Sequence, residues 1–502
     1  MDSYILAIDQ GTTSTRSIVF DAQAVAQGAA QQEFRQIFPH PGWIEHDCED
    51  LWETSLLTAR QAIEAAGIRP AQIAGIGIAN QRETTVVWSR ATGRPVHNAI
   101  VWQDRRTAAQ CARLVDQGFE TLVRSKTGLL LDPYFSATKI GWLLDQVEGA
   151  RARAERGELL FGTVDTFLLW RFTDGQVHAT DVTNASRTSL FNIHSLEWDE
   201  ELLALFHIPR AMLPEVRDTA GEFGVLAAGH LGARIPVRAI AGDQQSALIG
   251  QACLTPGMVK ATFGTGGFIL LNTGSIPVSS SHRMLTSLGY RWSGVAQYVL
   301  EGSIFAAGAT VQWLRDSLGV IESSAHAGQL AAESDPEQSV YLVPAFAGLG
   351  APHWRSSVRG LITGFTRGTT RKELARAALE CLAYQTKDLL LAMYADFGGD
   401  SVERSQPIIR VDGGMSASDW TMQFLADMLD APVDRAQVRE TTALGVALLA
   451  GWRAGVSAAP EEFPSNWRLG RQFAPQMGHL ERDQRYRGWR DAVARTLLEP
   501  GG

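Results

Sequence analysis

Cysteine is scarce in this chain, and several chemistries fall away with it. Cys48, Cys111, Cys253 and Cys381 stand far apart, with no Cys-x-x-Cys pair. That spacing offers neither a zinc knuckle nor a disulfide framework, so buried free thiols in a reducing cytoplasm are expected. No apolar run approaches the ~18 residues that cross a bilayer, and Met1 leads into a strand without a basic and then apolar leader. A cytoplasmic protein with no membrane insertion is expected. There is no Gly-Lys dipeptide and hence no Walker A loop, no complete Gly-x-Gly-x-x-Gly, no Gly-x-Ser-x-Gly elbow and no His-Glu-x-x-His helix. Asp396, Phe397 and Gly398 spell a protein-kinase motif, but no His-Arg-Asp loop precedes them, and they read as a helix end. Positive charge is in deficit, with a net charge of -9, which disfavours nucleic acid as a partner.

What is present is a globular composition, 45% hydrophobic and 20% charged, over 502 residues. That length exceeds one ordinary core, so two domains or more are expected, and a restart of the pattern near Gly250 to Pro256 divides the chain into residues 1–250 and 251–502.

The chain is organised around Ile5 to Phe20. Ile5 to Ile8 suit a buried strand, Asp9 to Thr15 are polar and small, and Ile18 to Phe20 resume as a strand. The turn of Gly11, Thr12, Thr13, Ser14 and Thr15 offers backbone N–H groups and hydroxyls to phosphate oxygens. Arg16 adds a cation, and Asp9 is an anion able to hold Mg²⁺ through water. An ordinary hydrophilic hairpin reads the same way. A second unit of this kind, Met258 to Phe263, Gly264 to Gly267, then Phe268 to Leu271, favours phosphate turns in a duplicated α/β architecture with a cleft between its halves.

Between them, Asp47 caps a helix to Ala66, and Ile73 to Ala79 form a buried strand running into Asn80, Gln81, Arg82 and Glu83. An Arg and a Glu side by side clamp hydroxyls when buried and form a weak ion pair when exposed. Trp102 and Tyr134 are candidates for an aromatic ligand wall or for core. Asp243 ends the strand Val237 to Gly242, where open α/β sheets place ligands, though a helix cap has the same signature; a helix is expected from Ser246. Glu301 to Leu318 reads as a helix carrying Gly302 and Gly308 at its start. Thr370 and Glu373 form a capping box for a helix to Phe397, and Ile408 to Val411 run into Asp412, Gly413 and Gly414, with Ser416 as cap of a helix to Leu429.

DQGTTSTR from Asp9, NQRETTVVW from Asn80, WQDRRT from Trp102, AGDQQ from Ala241, FGTGGF from Phe263, VPAFAGLGAPHW from Val343 and VDGG from Val411 occur in one order. This set resembles the FGGY carbohydrate kinases, from Tyr4 to about Gly455. Arg82-Glu83 with Trp102 and Tyr134 resembles their glycerol kinases rather than the pentulose kinases. The resemblance implies two duplicated ribonuclease H-like (actin-like ATPase) domains, ATP and glycerol as substrates, Mg²⁺ as cofactor and a homo-oligomer, dimer or tetramer. It implies glycerol hydroxyls on Arg82, Glu83, Tyr134, Asp243 and Gln244, the carbon chain under Trp102 and Phe268, and Asp243 as general base. Asp9 and Asp243 would neighbour the metal. Thr12, Thr13, Ser14 and Arg16 would meet the phosphates from one side and Thr265 from the other, with Gly308, Gln312, Gly414 and Ser418 holding the nucleotide.

Three positions depart from the family pattern. Ser418 stands where Asn is common, Asp104 where Cys is common, and Ala227 to Ile235 lacks the Gly/Lys-rich loop of sugar-bisphosphate inhibition, so that regulation is not expected. A kinase of erythritol, xylulose or dihydroxyacetone shares most of the motifs. An actin- or chaperone-like assembly ATPase shares the hairpins but leaves Arg82, Glu83, Trp102 and Tyr134 without a role.

Overall fold

The hairpin read in the first twenty residues forms, with a shorter tip, because Asp9 and Gln10 end its first strand and Ser14 and Thr15 begin its second. Tyr4–Gln10 and Ser14–Phe20 pair antiparallel, with Ile5 opposite Phe20 and Asp9 opposite Arg16. In this computed structural model, which describes residues 3–355, 357–398 and 408–498, that hairpin lies within a six-stranded sheet. Ala26–Glu33 flanks it on one side. On the other side Ile73–Asn80 and then Ile235–Gly242 run parallel to Tyr4–Gln10. Their unbroken apolar runs suit strands buried on both faces.

The second sheet repeats that arrangement. Val259–Phe263 and Gly267–Gly274 form the hairpin, Val295–Ile304 flanks it antiparallel, and Ile409–Asp412 and Val433–Ala436 follow in parallel. The order and sense of the strands match the first sheet, as the paired hairpins predict.

Helix signals hold where a cap is local. Asp47 accepts from the Glu49 N–H at 2.9 Å and starts Cys48–Ala65. Glu373 accepts from the Thr370 N–H at 2.7 Å at the start of Arg371–Phe397. Asp396, near the end of that helix, accepts hydrogen bonds from Ser280, Ser281 and His282, so its motif is an anchor for a loop.

Three boundaries differ from the sequence reading. Asp243 is itself the first residue of the helix Asp243–Gly250. Glu301 and Gly302 lie inside the strand Val295–Ile304, and the helix begins only at Gly308. Ser416 donates to the Gly413 carbonyl at 2.7 Å within a 3₁₀ turn, so Ser418 caps Asp419–Leu429 by accepting from the Thr421 N–H at 3.3 Å.

The halves meet where Thr441–Arg453 packs Val446, Ala447, Leu449 and Ala450 against Ile5, Ala7, Ala79 and Ala241 of the first sheet. Asp243–Gly250 crosses the same helix at glycines. A Cβ on Gly445 would lie 1.9 Å from the Ser246 carbonyl oxygen, and one on Gly250 would lie 2.0 Å from that of Thr441. Neither backbone has room to yield. Gly445→Ala is expected to cost about 3 kcal/mol, the upper part of the range for overpacking, read as a lower urea midpoint. An unchanged midpoint would contradict this close approach.

Candidate active site

At the end of Ile73–Asn80 the chain turns sharply. The Thr84 N–H bonds the Arg82 carbonyl at 2.7 Å, and Glu83 takes φ +61°. Both side chains are buried, which removes the surface ion-pair reading. They are not each other's main partner, since Arg82 Nε and Glu83 Oε1 stand 3.8 Å apart. Arg82 instead donates from both terminal nitrogens to Glu301, at 2.6 and 3.0 Å, and Glu83 accepts from Arg187 Nε at 2.6 Å. Burial pushes the Glu301 carboxyl up, but Arg187 and Arg82 outweigh it and hold the group at about 2. Gly242 leaves room for Arg82, because a Cβ there would meet the Arg82 side chain at 2.7 Å.

Asp243 lies beside this cluster, its Oδ1 3.3 Å from Arg82 Nε. Oδ1 accepts from the Gln244 N–H at 2.7 Å and Oδ2 from Gln244 Nε2 at 3.1 Å. Buried Lys260 donates to Gln244 Oε1 at 2.6 Å. An ammonium only donates, so the amide oxygen of Gln244 faces Lys260 and its NH₂ faces Asp243. Asp9 is close enough to feel the same charge. Burial, reinforced by Asp243 and opposed by Arg16, pushes its carboxyl up to about 7.

Three aromatic rings stand over these groups. The Trp102 and Tyr134 centroids are 5.4 Å apart, those of Trp102 and Phe268 6.0 Å, and the Arg82 guanidinium lies 5.9 Å from the Phe268 centroid. Burial, with Glu83 adding to it, pushes the Tyr134 hydroxyl up, so it stays protonated and able to donate. Trp102 Nε1 donates to Thr12 Oγ1 at 2.9 Å, tying this wall to the first hairpin tip. The structure thus joins Arg82, Glu83, Trp102, Tyr134, Asp243, Gln244 and Phe268 in one place.

Residues expected at phosphate and nucleotide are less tightly connected. Thr13 is exposed at the first tip, and Ser14 already belongs to the second strand, accepting from Gln31 Nε2 at 2.9 Å. Arg16 is engaged by Gln31 and by Glu440, which lies in the second half of the chain. At the other tip, the Thr265 carbonyl accepts from the Ala307 N–H at 2.9 Å and the Ala309 N–H at 3.0 Å. A Cβ on Gly308 would lie 2.6 Å from the Gly264 oxygen and 3.4 Å from Met415, so these segments converge. Gln312 and Gly414 are exposed nearby. The Ser418 hydroxyl accepts from the Thr421 N–H and from Thr421 Oγ1, at 2.9 Å for the latter. It retains only its proton to offer a ligand, where an Asn would offer donor and acceptor together.

Asp104 is accounted for. Its carboxylate accepts from the Ile44 N–H at 2.6 Å and from Arg106 at three nitrogens, and Arg106 is sandwiched between Trp43 and Trp142. It pins the loop that carries Trp102. Arg187, Glu301 and Lys260 escaped the sequence reading, although Glu301 and Lys260 are each the one charged residue in a largely apolar strand. That pattern is a usable signal, because an ion is rarely buried without a partner. Among the described residues no three His, Cys, Asp or Glu side chains form a metal-binding group, and no helix is long and apolar enough to cross a membrane.

Two repeated sheets, each led by a hairpin with a small-residue turn, together with charged groups under an aromatic wall, have the make-up of an enzyme that moves a phosphoryl group to a small hydroxylated molecule. Residues 4–250 match the N-terminal domain of the FGGY family of carbohydrate kinases, and residues 259–454 match its C-terminal domain. The chain therefore belongs to the FGGY family, and its fold is the duplicated actin-like ATPase fold. It is 58% identical over 500 residues to a glycerol kinase of Rhodopseudomonas palustris, covering 100% of both chains. It is 60% identical over 498 residues to one of Sinorhizobium fredii, covering 99% of this chain and 100% of the relative. The crystal structure of Plasmodium falciparum glycerol kinase with ADP superposes with a TM-score of 0.91 at 33% identity, covering 99% of each chain. A gluconate kinase of Lactobacillus acidophilus shares the fold, with a TM-score of 0.85 at 19% identity and 99% and 97% coverage.

Proposed function

We propose that this chain transfers the γ-phosphoryl group of ATP to a terminal hydroxyl of glycerol, giving sn-glycerol 3-phosphate and ADP. The observation that carries the reading is the convergence of Arg82, Glu83, Asp243 and Gln244 beneath Trp102, Tyr134 and Phe268, in a chain 58% and 60% identical to two glycerol kinases over their full length. A three-carbon polyol presents hydroxyls that both donate and accept, and this set supplies both kinds of partner, with rings for its C–H faces.

Asp243 takes the proton of the attacking hydroxyl as general base. Gln244, held by Lys260, keeps that carboxylate oriented. Arg82, Glu83 and Tyr134 fix the other hydroxyls, so that the reacting oxygen is placed in line and water is kept out. Thr12, Thr13, Ser14 and Arg16 hold the transferring phosphates from the first hairpin and Thr265 from the second. Gly308, Gln312, Gly414 and Ser418 hold the rest of the nucleotide. A phosphate reaching Arg16 exchanges for Glu440 as its partner.

Asp9 and Asp243 fit a Mg²⁺ ion. Burial and the neighbouring Asp243 raise the cost of charging Asp9, which a divalent cation relieves, and Mg²⁺ needs only one or two carboxylates beside its waters and phosphate oxygens. When bound it offsets the phosphate charge.

A coupled ADP-release assay tests the reading. Turnover is expected to depend on glycerol. Faster turnover of erythritol, xylulose or dihydroxyacetone would replace the substrate, and rapid hydrolysis without glycerol would remove the kinase reading.

A further inference from the structure

Glu301 is fully buried in Val295–Ile304 of the second sheet, and its carboxylate reaches residues of the first half of the chain. Oε2 accepts from Arg82 Nη1 at 2.6 Å, and Oε1 from Arg82 Nη2 at 3.0 Å and Arg187 Nη2 at 3.1 Å. Arg187 completes the cluster through Nε to Glu83 Oε1 at 2.6 Å and Nη1 to Ser287 Oγ at 2.8 Å. Two guanidiniums and two carboxylates therefore cancel. Both terminal nitrogens of Arg82 are taken, Nη1 also lying 3.3 Å from Gln245 Oε1. What remains is the Nε edge, which already faces Asp243 at 3.3 Å and Glu83 at 3.8 Å.

An arginine with an open fork is a bidentate receptor for a carboxylate. Here Glu301 fills that fork from within the protein. A substrate carboxylate entering this site would meet Glu83 and Asp243 with no free guanidinium face to offset them, whereas an uncharged hydroxyl meets no such charge.

We propose that Glu301 determines specificity: by occupying the fork of Arg82 and balancing the Arg82–Arg187 pair, it makes the site accept a neutral polyol and reject the hydroxy acid of the same length. The inference rests on the glycerol reading above, and it concerns a residue that positions Arg82 without touching the reacting atoms.

The test is Glu301→Gln, which keeps the shape and removes the charge, assayed with glycerol and with glycerate as competing ligand. The KM for glycerol is expected to rise about tenfold or more and the glycerate inhibition constant to fall by a similar factor, well inside the roughly thousandfold that one charge interaction over ~4 Å is worth at an effective dielectric of ~20. The KM for ATP should stay within about threefold, because the nucleotide residues lie elsewhere; a merely structural defect would shift both KM values and would not tighten glycerate. Glycerate binding no tighter in a variant that still binds ADP overturns the proposal. So does a wild-type enzyme that binds glycerate within about tenfold of glycerol, a measurement that needs no variant to fold. A wild type without glycerol turnover would instead sink the glycerol reading.

Discussion

Asp243→Asn is expected to lower kcat by about 10²- to 10⁴-fold, the usual contribution of a positioned general base, while ADP still binds. Asn keeps the length and one acceptor oxygen, so the bond from the Gln244 N–H at 2.7 Å can persist. Its amide cannot take a proton from the attacking hydroxyl. Its NH₂ would also face donors, either Gln244 Nε2 or Arg82 Nε, where the carboxylate accepts. The Thr265 turn and the Gly308 helix start do not depend on this side chain for their contacts. Single-turnover kinetics and ADP calorimetry separate the two effects, and a kcat within about threefold of wild type would dismiss Asp243 as the base.

Arg187→Met has the largest expected effect on stability, about 3–5 kcal/mol, because it breaks a buried charge cluster by removing one partner. Glu83 and Glu301 would both lose a guanidinium, and Ser287 its partner, with no solvent to replace them. Urea unfolding at neutral pH measures it, and a loss under about 1 kcal/mol, the scale of an exposed pair, would be too small for a buried cluster and would overturn this expectation. Its pH dependence follows from Glu301. The folded carboxyl sits at about 2 against an ordinary 4.5, so this stabilisation is present above pH 4.5 and is lost as pH falls toward 2. Arg187→Met lets the group relax upward, and the gap between wild type and variant should narrow over that window.

Both residues show how far the sequence could be read. Asp243 stands in a short motif at a strand end, where a carboxylate for a ligand is legible, but the sequence placed the helix start at Ser246 and the structure begins it at Asp243 itself. Arg82 and Glu83 are adjacent and invite pairing with each other. The fold separates them by giving Glu83 a positive φ and each a different partner, from positions 301 and 187. Ser416 and Ser418 offer equal capping hydroxyls, and the 3₁₀ turn chose between them. Arg16 reads as a free phosphate cation, yet Glu440 holds it from far along the chain.

By itself the sequence determined the hairpins, their repetition, the helices with local caps and the contiguous motifs that hold the residues proposed to face the substrate. These follow from side-chain period and from contacts a few residues apart. Only the tertiary structure decided who neutralises whom at the seam. Which buried charge meets Arg82 depends on how two sheets built from distant segments are brought face to face. No periodicity along one segment carries that information, because the register between the sheets is set by the packing of Thr441–Arg453 and its glycine contacts against both halves.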